Sequence, residues 1–110
     1  MNPSLSIAGI FLAALPAAAA EPGVTIQSPM NGAKWDALAQ NQLVYEVVPG
    51  PKGDHIHAYV DGREVGILRK LSGSYAMESL APGQRTICIK VVNKAHVPIG
   101  IEQCVKVTVE

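Results

Sequence analysis

The sequence predicts an all-β fold, an immunoglobulin-like antiparallel β-sandwich of about seven strands, and three observations carry that reading. Short apolar-alternating runs recur along the chain, turn residues close each of them, and no stretch has helical periodicity. The first run, 24–27, leads into Ser28-Pro29-Met30-Asn31-Gly32, where Met30 is expected to plug a loop. Trp35 is expected to complete an edge of the core, with at most one helical turn after it at Ala37, Leu38 and Ala39. The next run, 42–48, ends at Pro49-Gly50-Pro51-Lys52-Gly53-Asp54. Residues 55–60 and 63–68 flank Asp61-Gly62, a pair suited to a two-residue type I′ turn because both central positions need positive φ. A strand over 74–80 precedes Ala81-Pro82-Gly83-Gln84. Strands over 85–92 and 101–109 flank a loop at 93–98.

The chain has 110 residues, and residues 1–20 read as a targeting segment. Ile7 to Leu15 is apolar, and Pro16 and the run Ala17 to Ala20 follow, a small-residue cleavage context before Glu21. The apolar run is shorter than the about 20 residues a membrane helix needs, so it predicts a signal peptide, a periplasmic or secreted location and no membrane span in the mature protein. Residues 21–110 then form one domain. A chain of this size buries only about 60 to 65% of the surface its unfolded form exposes, so a covalent staple would help it. Nine basic and nine acidic residues balance to a net charge of zero, with no basic run. That composition excludes nucleic acid and anionic membrane as main partners.

Alternation in the last two strands fixes their faces. Ile87, Ile89 and Val91 should point inward with Ile101, Val105, Val107 and Val109, leaving Cys88 and Cys104 outside. Placing Cys88 opposite Cys104 also places Lys90 opposite Glu102, a favourable cross-strand pair. Directly opposed residues of a non-hydrogen-bonded pair lie about 4.5 Å apart at Cα, within the about 4.4 to 6.8 Å a disulfide tolerates. A secreted chain with two cysteines so placed is expected to oxidise them, which removes both as metal ligands.

The chemistry of the chain concentrates in its three histidines. His55-Ile56-His57 is an H-x-H pair at the head of a strand, whose same-face residues stand about 6.6 Å apart along the backbone. Ile56, Ala58 and Val60 should face the core, so His55, His57 and Tyr59 take the outer face. In an immunoglobulin-like sandwich the loop before this strand and the loop between the last two strands gather at one end, which brings His96 toward the pair. Three neutral imidazoles with an open position suit a copper or zinc ion. Copper is favoured over zinc, and Asp54 is a further oxygen donor at the same place. His57 should matter more than His96, because a strand holds its residue in place and a loop does not. Met77 is expected in the core, and Lys52, Lys90 and Lys94 oppose a cation where Glu102 and Asp54 favour one.

Two other readings stand beside the metal site. The histidines are solvated surface residues and the domain is a metal-free periplasmic protein-interaction module, docking a partner through a strand edge or its loops. Catalysis is the weaker reading: the chain has no G-x-S-x-G elbow, no H-E-x-x-H and no phosphate-binding glycine loop, so it is not read as an enzyme.

The strings Gly53-Asp54-His55-Ile56-His57 with Asp61, Leu80-Ala81-Pro82-Gly83, and His96 before Pro98 with a closing Val105 to Val109 strand carry a resemblance. The chain resembles families of short secreted proteins of unknown function that share G-x-H-x-H-x-x-x-D, L-x-P-G-x-H and H-x-P before a V-x-V-T-V strand. The resemblance covers most of the mature chain and implies His55, His57 and His96 as the positions of interest. It departs at Arg85, where those families often carry a histidine. In site type and architecture the chain is also similar to periplasmic copper-resistance carriers, small sandwiches with histidine-rich copper sites.

Overall fold

The computed structural model describes residues 20–110, so most of the expected signal peptide at 1–20 lies outside the described residues. Eight strands run in the order β1 (Gly23–Ser28), β2 (Ala33–Trp35), β3 (Gln42–Val48), β4 (His55–Val60), β5 (Arg63–Leu68), β6 (Ser72–Ala76), β7 (Gly83–Val92) and β8 (Pro98–Val109). They form two sheets, β1-β3-β6 and β2-β8-β7-β4-β5, packed as a sandwich. Among the described residues no helix is long and apolar enough to cross a membrane.

The core lies where the period-2 patterns of the two sheets meet. Val24 and Ile26 of β1 and Leu43, Tyr45 and Val47 of β3 face Ile56, Ala58 and Val60 of β4, Ile87, Ile89 and Val91 of β7, and Val105, Val107 and Val109 of β8. Trp35 and Met77 are buried with them, as expected. Met30 is exposed: the loop turns it outward, and it plugs nothing. Ala37 to Ala39 make a turn, closed by the Ala39 amide donating to the Asp36 carbonyl.

Three elements differ from the sequence reading. The eighth strand, β2, pairs parallel with β8 over Ala33↔Val107 to Trp35↔Val109. Three residues are too few to display an alternation. Asn31 steers the chain there instead, its Oδ1 accepting from the Lys106 amide at 2.8 Å. The sixth strand covers Ser72–Ala76 and not 74–80, because at Met77 the backbone leaves β3 and donates to the Asn41 carbonyl. The last strand begins at Pro98, and Val92 pairs with Pro98 across a register shift.

The hairpin from β4 to β5 turns at Asp61 and Gly62, with φ of 51° and 84°, the two left-handed positions that a type I′ turn requires. Asp61 also ties the turn to β7, its Oδ1 accepting from the Thr86 amide at 2.9 Å and its Oδ2 pairing with Arg85 at 3.2 Å. A β-bulge lies just beyond the turn, since Tyr59 pairs with Glu64 and Ala58 with Gly66. Val65 is the extra residue. The bulge reverses the facing of the rest of β5: Leu68 enters the core and Ile67 comes to lie beside His57 on the outer face.

Between β7 and β8 the register is the expected one, with Cys88 opposite Cys104 and Lys90 opposite Glu102. The cysteines form a disulfide, with Cα atoms 4.0 Å apart, and the described residues contain no free cysteine.

Candidate metal centre

β4 places His55, His57 and Tyr59 on the outer face of the five-stranded sheet, as its alternation requires, yet these three side chains are buried. His55 is 1% and His57 2% exposed. The alternative reading of solvated surface histidines is therefore corrected for His55 and His57, while His96 is exposed. β4 is flanked by β5 and β7, so Ile67 and Lys90 stand beside His57 and Val92 beside His55, and the loop from β7 to β8 brings His96 against both rings.

That loop is braced. Asn93 Oδ1 accepts from the amides of Ala95 (2.9 Å) and Val97 (3.1 Å), the Asn93 carbonyl accepts from the His96 amide, and the Asn93 amide donates to the Val97 carbonyl. His96 sits at the tip with φ of 64°, a left-handed conformation that costs a non-glycine residue energy and that the four bonds hold. Its side chain is exposed on the outside and meets the pair on the inside.

Three ring nitrogens converge. His55 Nε2, His57 Nε2 and His96 Nδ1 are each 3.1 Å from the other two, an equilateral triangle. Both outer nitrogens of the strand pair are turned to carboxylates. His55 Nδ1 is 2.8 Å from Asp54 Oδ2, and His57 Nδ1 is 2.9 Å from Glu64 Oε1. The first contact is a hydrogen bond; the second is close but out of line with the ring N–H, and leaves that nitrogen without an aligned partner. The hydrogen bond to Asp54 keeps the His55 proton on Nδ1, and the negative charge of Glu64 favours the same tautomer of His57, in which Nε2 of each ring carries its lone pair. Two lone pairs then face each other across 3.1 Å with at most one proton, that of His96, for three nitrogens. A hydrogen-bond network does not satisfy that arrangement, whereas a cation at the centre satisfies all three.

The triangle has the size of a metal site. A point about 2.0 to 2.1 Å from all three nitrogens lies about 1 Å off their plane and subtends angles of about 95 to 102°, between an octahedral face and a tetrahedral cap. Burial holds the His57 pKa below the usual imidazole value, opposed only in part by Glu64, so the ring stays neutral and able to bind. The His55 hydrogen bond holds the Asp54 carboxyl below the usual carboxylate range, helped by the positive charges of Arg69 and Lys94. The three histidines form a group able to hold a metal ion.

The expected convergence of His55, His57 and His96 is thus what the structure contains. Asp54 stands behind His55 as an orienting partner, not among the converging donors. Glu64 carries no motif of its own in the sequence, although the two-residue turn already sets it opposite Tyr59 and diagonal to His57 on one face. Lys90 does not face the triad; its Nζ lies over the Tyr59 ring, 4.7 Å from the centroid. Cys88 pairs with Tyr59, so the disulfide fastens to β8 the strand that lies beside β4, within the hairpin that carries the His96 loop.

No family model matches the chain, and no curated protein matches it in sequence. Solved structures do match in fold. Fibronectin(III)-like modules of Clostridium thermocellum CbhA are 16% identical with a TM-score of 0.66, over 79% of this chain and 96% of theirs. The chain is an immunoglobulin-like β-sandwich. An engineered protein is 20% identical with a TM-score of 0.59, over 84% of this chain and 21% of that one. A Jonesia denitrificans lytic polysaccharide monooxygenase is 12% identical with a TM-score of 0.53, over 79% of this chain and 77% of that one. At these identities the likeness is one of fold alone.

Proposed function

We propose that this sandwich is a secreted or periplasmic metal-binding module that holds one copper ion through His55 Nε2, His57 Nε2 and His96 Nδ1. The observation that carries the reading is the 3.1 Å triangle of nitrogens with a carboxylate behind each strand histidine. The donor set is all imidazole, since both cysteines are bonded and Met77 is in the core. Imidazole sites take copper, zinc, nickel or iron, and for a fixed nitrogen set Cu(II) binds more tightly than its neighbours. Zinc is the second ion the site admits, its tetrahedral preference matching the capped geometry. The disulfide supports an oxidising compartment, in line with the leader-like residues 1–20 and the resemblance to short secreted proteins.

Titration with Cu(II) and Zn(II) tests this. One ion per chain is expected, with nitrogen hyperfine structure in the electron paramagnetic resonance spectrum of the copper form. His96→Gly is the cleanest control, because the position is exposed and glycine relieves its positive φ. A His55→Ala, His57→Ala double variant should lose the site. Equal stoichiometric binding by wild type and both variants would overturn the proposal.

The metal-free interaction module is favoured by one observation. β5 is the edge of the five-stranded sheet, and it exposes Val65 and Ile67. A chain that takes up neither ion would leave that reading in place.

A further inference from the structure

The triad supplies three donors, and the described residues bring no fourth to it. Asp54 is engaged behind His55, Glu64 lies behind His57, both cysteine sulfurs are bonded to each other, and Met77 is buried in the core. Cu(II) and Zn(II) take four ligands or more, so at least one comes from outside the triad, on the exposed side where His96 lies. Three neutral imidazoles leave the charge of a divalent ion uncompensated, which favours an anion in the remaining position.

The surroundings of the site favour the same charge. An open cleft adjoins it, with Lys52 and Asp54 on one wall and Asn93, Lys94 and Ala95 on the other. Asp54 precedes His55 in the chain and Ala95 precedes His96, so the cleft lies between the two backbone segments that lead into these ligands. Arg69 Nη1 lies 3.6 Å from Asp54 Oδ2, and Lys94 lines the same cleft as that carboxylate. On the cleft side three cations, Lys52, Arg69 and Lys94, thus stand against Asp54, which already accepts from His55, while Glu64, the other carboxylate at the triad, lies beside His57. Clefts lined by one sign of charge concentrate ligands of the other sign. Lys52 and Lys94, two of the three lysines that count against a bare cation in the sequence, have a role once the bound species is a metal with an anion on it.

We propose that the metal held by His55, His57 and His96 takes a small anion as its exogenous ligand, drawn in by Lys52 and Lys94. The inference rests on the metal-binding reading above. The step is a ligand exchange: an anion lone pair forms a bond to the metal, a bound water leaves, and no electron is transferred.

The test uses azide as the probe, on wild type and a Lys52→Ala, Lys94→Ala double variant, each loaded to one Cu(II) per chain and titrated at constant ionic strength. Wild type should develop a saturable anion-to-copper charge-transfer band while the histidine hyperfine structure persists. Azide affinity should fall about three- to tenfold in the double variant, the size of losing two partly screened charges. Stoichiometric copper with no azide band would overturn the open position alone. A band of unchanged affinity in the double variant would overturn the role of the lysines. Failure to load copper at all would overturn the metal-binding reading, and this inference with it.

Discussion

His55 Nε2 and His57 Nε2 face each other at 3.1 Å while the opposite nitrogen of each ring is turned to a carboxylate, Asp54 for one and Glu64 for the other. Two strand residues on one face present their side chains in parallel, so convergence at the tips needs a restraint behind each ring. The carboxylates supply it. Asp54 fixes the tautomer of His55 by its hydrogen bond, Glu64 favours the same tautomer of His57 by its charge, and both turn Nε2 inward.

Asp54→Asn and Glu64→Gln should therefore each weaken copper binding, by about tenfold and at most about a hundredfold, while leaving the fold intact. Isothermal titration against a competing chelator would measure it. Undiminished affinity in both variants would show that the carboxylates are ordinary surface ion pairs, of which the exposure of Glu64 is the natural sign.

The loop makes an independent prediction. His96 is held by Asn93 through four hydrogen bonds, which makes it far less mobile than its loop position suggests from sequence. Asn93→Ala removes the two side-chain bonds and should lower copper affinity about tenfold through disorder of His96, with a smaller effect on the melting temperature. The expectation that His57 outweighs His96 then narrows to a modest difference, which single-variant titrations of His57→Gln and His96→Gly would measure. Equal affinity of Asn93→Ala and wild type would mean that the metal itself orders the loop.

Much of the fold and the site is legible in the sequence, for identifiable reasons. The parity of Ile87, Ile89 and Val91 fixes a face, and two cysteines with a matching Lys90–Glu102 pair fix a register. The H-x-H parity and the end-clustering of loops bring three histidines together. The burial of His55 and His57 on the outer face is not legible, because it depends on a loop whose path is set by one asparagine side chain. Neither is the bulge at Val65, which exchanges Gly66 for Ile67 beside His57 and has no residue signature of its own. Nor is the nitrogen that His96 presents, Nδ1 and not Nε2, since sequence places a histidine in the loop without orienting its ring.

The hairpin turn is testable on its own. Nothing crowds a side chain at Gly62, so any cost there comes from φ of 84°. Gly62→Val should lower stability by about 1 to 2 kcal/mol or more, seen as a lower urea midpoint at unchanged slope. An unchanged midpoint would mean that the turn relaxes to another type.

Reduction of the disulfide should lower the melting temperature. The bridge closes a loop with a sequence separation of 16, and such a loop is worth about 3 kcal/mol in the chain-entropy account. Because Cys88 lies in the strand beside β4, paired with Tyr59, the reduced protein should also lose copper affinity while still folded. Alkylation of either cysteine in freshly isolated native protein would contradict the bridge.

Acid should destabilise the metal-free domain through His57. Burial holds its folded-state pKa below the value of about 6.5 that it has in the unfolded chain. Between those two values the unfolded state binds more protons than the folded state, so stability rises with pH. The contribution is present in full above about pH 7 and is lost as pH falls through the unfolded value toward the folded one. The urea midpoint of the metal-free protein should accordingly drop as pH falls below about 6.5, and His57→Gln, which cannot charge, should flatten that drop. Copper should steepen the dependence in wild type alone, because protons and metal compete for the same nitrogens. A wild-type midpoint that tracks the His57→Gln curve, with and without copper, would mean that the buried ring neither resists protonation nor binds the ion.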